Sequence, residues 1–119
     1  MQPILLIGGY GVTGRKTAQQ IRLRHPHVPL AIGGRNLAAA QAFADEIGNA
    51  VAYIADIGTG VRNLGLPHGA FSAIAVFLMD ETGDAMRFAS DNAIPYVAVT
   101  GGAFEAGVQF ALGMHATVR

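Results

Sequence analysis

The chain has 119 residues, 51% of them hydrophobic and 13% charged, which excludes a disordered chain and predicts a single domain with a substantial core. A net charge of zero, with seven arginines and one lysine scattered along the sequence, argues against a nucleic-acid partner, and the lack of cysteine removes disulfides and thiolate metal sites. The opening MQPILLIGG has no basic leader region and no run approaches the roughly 18 apolar residues of a membrane span, so a cytoplasmic protein without membrane contact is expected.

Residues 3–7 (PILLI) form a short apolar run stopped by glycine, the pattern of a strand buried on both faces, with Pro3 tolerated at its start. A glycine cluster, GGYGVTG (8–14), follows at once and opens an amphipathic helix over 12–24, whose apolar positions are Val12, Ala18, Ile21 and Leu23. The prolines of HPHVP turn the chain into a second strand, 28–34. Asn36 is placed as N-cap of an alanine-rich helix over 37–47, and Gly48 is placed to end it. A third strand spans 50–56.

The glycine-rich stretch 57–69 reads as loop with room for a short helix. Residues 70–79 are the most apolar in the chain, as a central parallel strand requires. A helix over 80–94, entered through acidic and hydroxyl residues, leads past Pro95 to a fifth strand at 96–100. Strands joined by helical crossovers run parallel and right-handed, so the expected fold is α/β: one doubly wound, Rossmann-type sheet of about five strands in the order 3-2-1-4-5. The apolar tail 101–119 has no clear stop.

The glycine cluster satisfies two registers, Gly9-x-Gly11-x-x-Gly14 and Gly8-x-x-Gly11-x-x-Gly14. In the first, Gly9 makes the tight turn, Gly11 admits a pyrophosphate close to the backbone, and Gly14 lets the helix pack closely on the strand. Amides from Tyr10 through Val12 to Thr13 then face the phosphates, backed by the helix dipole. A glycine turn with no ligand is the alternative. The strand before and the helix after, within a βαβ unit of about 30 residues, favour the nucleotide site.

An NAD-preferring site carries a carboxylate at the end of the second strand to hold the adenosine ribose. Here that end reads Gly33, Gly34, Arg35, Asn36. Arg35 offers a planar, permanent cation for a 2′-phosphate, with Asn36 as a neighbouring donor, so NADP is favoured and NAD is the secondary choice. Asp56 either receives the adenine amino group or caps the following loop. Asp80 and Glu81 stand at the sheet edge where ligands bind, but helix capping explains them equally well.

Three stretches, GGYGVTGR (8–15), GGRN (33–36) with its helix running to ADI (55–57), and IPYVAVTGG (94–102), resemble the N-terminal nucleotide-binding domain of the saccharopine dehydrogenase-like reductases. In the last, Tyr96, Val97, Thr100 and Gly101 match the family segment, whereas its aspartate and glutamate positions are Ala98 and Gly102 here. The resemblance implies the cofactor half of an NADP-dependent oxidoreductase, with hydride transfer belonging to a longer protein that carries a substrate domain. The other reading is a stand-alone nucleotide-sensing module without catalysis, which self-associates through its apolar C-terminal region. No Tyr-x-x-x-Lys pair is present, since the only lysine is Lys16, so short-chain dehydrogenase chemistry is excluded. His25 and His27 flank Pro26 in the turn before the second strand, opposite the expected cofactor edge, and His68 and His115 are too isolated to form a metal set. No catalytic residue is assigned.

Overall fold

Continuous apolar segments bury both faces only in the middle of a sheet, and the first strand takes that place. In a computed structural model, which describes residues 1–99, β1 (Ile4–Ile7) pairs in parallel with β2 (Leu30–Gly34) on one side and β4 (Ala73–Val76) on the other. Outside these lie β3 (Ala50–Ile54) and β5 (Tyr96–Ala98), giving the expected order β3-β2-β1-β4-β5. Helices α1 (Val12–Arg24), α2 (Leu37–Ile47) and α3 (Asp84–Asn92) form the crossovers, with a short 3-10 turn at Arg62–Gly65. Thr100, Gly101, Gly102 and the tail with its proposed self-association surface lie outside the described residues.

The period-two alternation of β1 divides the core into two layers. Leu6 packs with Leu30, Ile32 and the buried faces of α1 and α2, chiefly Ala18, Ala40, Phe43 and Ala44. Leu5 and Ile7 point the other way, into a cluster built from Phe71, Ile74, Val76 and the α3 residues Ala85, Phe88 and Ala89. Arg15 joins the two helices of the first layer through an ion pair to Glu46 at 2.9 Å, with its guanidinium 4.4 Å from the Phe43 ring. At the opposite end from the glycine loop, the Arg22 guanidinium donates to the carbonyls of Val28, Gly48 and Asn49 and binds the turns that enter β2 and β3.

Several elements are shorter than the sequence suggests. The apolar stretch 70–79 pairs as strand only at Ala73–Val76: Phe71 is apolar because it fills the core from the approach loop, and after a last bond from the Phe77 amide to the Ile7 carbonyl the chain leaves the sheet, with 77–79 lining a cleft. The helix expected from residue 80 begins at Asp84, because Asp80–Gly83 make a turn in which Gly83 has φ +76°. β2 starts at Leu30, beyond Pro29, and β3 ends at Ile54. Of the four apolar positions read on α1, Ala18 is buried and Ile21 half-buried, whereas Val12 and Leu23 stand in solvent.

The left-handed turn that ends β1 falls on Gly8, at φ +77°, so the tight-turn role read onto Gly9 belongs to Gly8. Gly9 is instead buried over Leu6, and Gly14 brings α1 against this turn, where a β-carbon would stand 2.7 Å from the Gly9 Cα and against the Gly8 carbonyl. Both obstacles are backbone, so no side chain can swing away. Gly14→Ala is therefore expected to lower stability by about 1–3 kcal/mol, the usual cost of overpacking. Urea denaturation followed by far-UV circular dichroism tests this, and an unchanged midpoint would mean that α1 does not rest on the glycine turn.

Candidate functional site at the switch point

The chain leaves β1 toward α1 and β2 on one side of the sheet, then returns past β1 to β4 on the other side. Adjacent strands whose connections depart in opposite directions open a crevice at their carboxyl ends. A cleft of about 650 Å³ lies there, within the roughly 300–1,000 Å³ of small-molecule sites. Ile7, Gly8, Tyr10 and Gly11 line it from the first loop, and Gly34 and Arg35 from the end of β2. Ala55, Ile57 and Gly58 line it after β3, and Phe77, Leu78 and Met79 after β4, with Glu81 and Thr82 at the turn before α3.

The three helix N-termini among the described residues are treated differently. The Asn36 Oδ1 caps α2 by accepting from the Ala39 amide at 3.0 Å. The Asp80 carboxylate caps α3, accepting from the amides of Ala85 and Met86, both at 3.2 Å. The cap position of α1 is Gly11, which has no side chain to offer, and the first turn of α1 carries no acidic residue. Gly11 donates to the Gly8 carbonyl at 3.0 Å and Arg15 donates to the Gly11 carbonyl at 2.7 Å. Among the described residues, the amides of Val12, Thr13 and Gly14 between them have no acceptor. A β-carbon on Gly11 would touch nothing closer than the Gly8 carbonyl at 3.4 Å, so the backbone there is open to a ligand. The positive end of the α1 dipole and its unpaired donors thus stand beside the cleft.

Tyr10 reaches across the cleft floor to β2. Its ring lies on Gly34, where any β-carbon would collide with it, and its hydroxyl accepts from the Asn36 amide at 3.3 Å. Arg35 is exposed beside it and donates through Nη2 to the Ile57 carbonyl at 2.9 Å, which leaves Nη1 and Nε for other acceptors. Of the residues read from the sequence as cofactor-binding, the structure brings Tyr10, Gly11, Gly34 and Arg35 together as cleft lining. Gly9 and Gly14 lie buried behind them, Val12 and Thr13 are exposed at the start of α1, and Asn36 is occupied as a cap. Asp56 is half-buried next to the lining, with its amide donating to the Leu64 carbonyl at 3.0 Å. Asp80 is a helix cap, whereas Glu81 lines the cleft.

One residue not singled out from the sequence is Asp84, a buried carboxylate in the first turn of α3. Its Oδ2 accepts from the amides of Gly58 and Gly60, at 2.9 and 3.0 Å, and its Oδ1 from Arg87 at 3.3 Å. The Gly60 amide above all, with the Gly58 amide, the Thr82 hydroxyl and Arg87, outweighs the cost of burial and holds the carboxyl below its ordinary value of 3.8. No local pattern links Asp84 to a loop 24–26 positions earlier, so sequence spacing could not find it. Tyr96, on β5, has its phenol pushed up to about 12, first by burial and then by the neighbouring Asp80 carboxylate.

Fold and site together define a doubly wound parallel α/β domain with a cleft at its switch point and an uncapped helix beside it. No family model, no curated protein and no solved structure matches the chain. Among the described residues no group of three or more His, Asp or Glu side chains is placed to hold a metal ion, and no helix is long and apolar enough to cross a membrane.

The two shifted groups give opposite pH dependences. A carboxyl lowered in the folded state contributes stability above its unfolded value, and that contribution drains away as pH falls through the folded value. Stability carried by Asp84 is thus lost on acidification below about 3.8, and Asp84→Asn is expected to remove that part of the acid dependence in a pH series of urea melts. A phenol raised in the folded state contributes stability below its ordinary 10.0 that is lost as pH climbs toward about 12. Tyrosinate absorbance in wild type and Tyr96→Phe checks this: a Tyr96 titration at the ordinary value would contradict the packing of β5 against the Asp80 turn.

Proposed function

We propose that the cleft binds a dinucleotide with NADP preferred over NAD, and that the domain serves as the cofactor-holding part of a saccharopine dehydrogenase-like oxidoreductase. The observation that carries this reading is the contrast among the helix ends: α2 and α3 are capped by the chain's own oxygens, and α1, beside the cleft, is not. An uncapped helix behind a glycine turn at the switch point suits a pyrophosphate, which accepts the donors and complements the dipole. Gly11 permits the approach because no side chain stands over it.

Arg35 supports the choice of nucleotide. Among the described residues that line the cleft it is the only cation, and those at the end of β2 include no carboxylate to repel a phosphate or to hold an unphosphorylated ribose. With Nη2 donated to the Ile57 carbonyl, its remaining donors are held near one orientation, which lowers the entropy lost on meeting a 2′-phosphate. Tyr10, with its ring on Gly34, supplies an apolar floor between the glycine loop and Arg35. Bound NADP supplies hydride chemistry, and the chain's residues hold and orient it. Substrate contacts belong to a longer protein in this reading, which rests there on the sequence resemblance.

A charge-assisted contact to phosphate contributes roughly 1.5–3 kcal/mol, about ten- to a hundredfold in affinity. Calorimetric titration of NADP and NAD into wild type and Arg35→Ala is expected to show tighter NADP binding in wild type. In the variant, NADP should weaken by at least about tenfold while NAD changes by less than about twofold. Equal NAD and NADP affinity in wild type, or an unaltered NADP affinity in the variant, would sink the assignment of Arg35.

A further inference from the structure

Resting on the nucleotide reading above, we propose that Asp84 is a positioning residue for Arg35: by clamping the loop after β3, it sets the orientation of the arginine that meets the 2′-phosphate, and so sets the preference for NADP over NAD.

Three contacts make the chain of support. The Asp84 Oδ2 accepts from the Gly58 and Gly60 amides at 2.9 and 3.0 Å. The same loop offers the Ile57 carbonyl, one residue before Gly58, to Arg35 Nη2 at 2.9 Å. Arg35, Ile57 and Gly58 all line the cleft, whereas Asp84 does not. A buried group thus reaches the site only through the backbone of 57–60. Gly58 and Gly60 both hold positive φ, +94° and +75°, so their conformation is selected by the clamp and not by side chains of their own.

The clamp hangs on one side-chain oxygen. One oxygen accepting two amides, while the other faces Arg87, uses acceptor capacity on both sides of the group. An asparagine can keep its oxygen on the two amides and lose only the Arg87 contact, whereas an alanine leaves both amides without that acceptor. With the loop released, the Ile57 carbonyl no longer holds a fixed place, and Arg35 regains rotamer freedom that phosphate binding must then remove. NAD has no phosphate at that position and does not depend on Arg35, so its affinity is the internal reference.

The test measures dissociation constants for NADP and NAD in the full chain, well below the melting temperature, for wild type, Asp84→Ala and Gly60→Ala. Gly60→Ala strains the loop from its other end without touching the buried carboxylate, because an alanine resists the positive φ and no neighbour lies within 4 Å of its β-carbon. It keeps the proposal open to refutation even where Asp84→Ala fails to fold. The expected result is a fall of about five- to tenfold in the NADP-over-NAD preference in each folded variant, with NAD affinity within about twofold of wild type. If both nucleotides weaken together, or neither does, Asp84 is a structural residue only and the proposal is overturned while the nucleotide reading stands. Should wild type itself show no preference for NADP, the Arg35 reading fails and this proposal fails with it.

Discussion

How near α1 can come to the end of β1 determines what the rest of the cleft can be. The Gly14 contact with Gly8 and Gly9 is backbone against backbone, and it holds the first turn of the helix directly over the strand end. A helix held further away would carry its unpaired amides out of line with the switch point, and the dipole's effect fades within about one turn. The close approach also explains why Gly8 turns left-handed: the chain must reverse within Gly8–Gly11 to enter a helix that sits on top of it. Glycine at position 8 serves the turn, at 11 leaves the helix end open, and at 14 serves the packing.

The two halves of the sheet contribute unequally to the cleft built on that turn. The β1-β2-β3 half brings the glycine loop, Tyr10 and Arg35. The β4-β5 half brings a wall of Phe77, Leu78 and Met79, with the acidic turn 80–84 behind it. That turn uses its two aspartates in different directions. Asp80 reaches forward to the amides of α3, and Asp84 reaches out of the helix to the loop after β3. Through Asp84 the far half of the sheet therefore helps hold the loop after β3.

The elements that followed from local chemistry were legible in the sequence, and those that depend on distant partners were not. Helices 12–24 and 37–47 carry their own punctuation in glycine, asparagine and proline, and both have the bounds read from those residues. The strand order followed from the alternation of strands with helical crossovers. Residues 70–79 misled because apolarity reports burial without saying whether the backbone is paired. Phe71 is buried by side-chain packing, and Leu78 and Met79 turn away into the cleft. The two glycine registers could not be separated by spacing, since the choice depends on which residue takes positive φ.

At the site the same division holds. Arg35 stands out because a strand end without a carboxylate is a local fact, whereas its anchoring by the Ile57 carbonyl comes from a residue 22 positions later. The packing of Tyr10 on Gly34, and the clamp of Asp84 on Gly58 and Gly60, arise from crossovers that bring the ends of successive strands to one edge. Arg35 lines the switch-point cleft and is readable from the end of its own strand. The Ile57 carbonyl that holds it follows the next strand, and only the assembled sheet puts the two within hydrogen-bond distance.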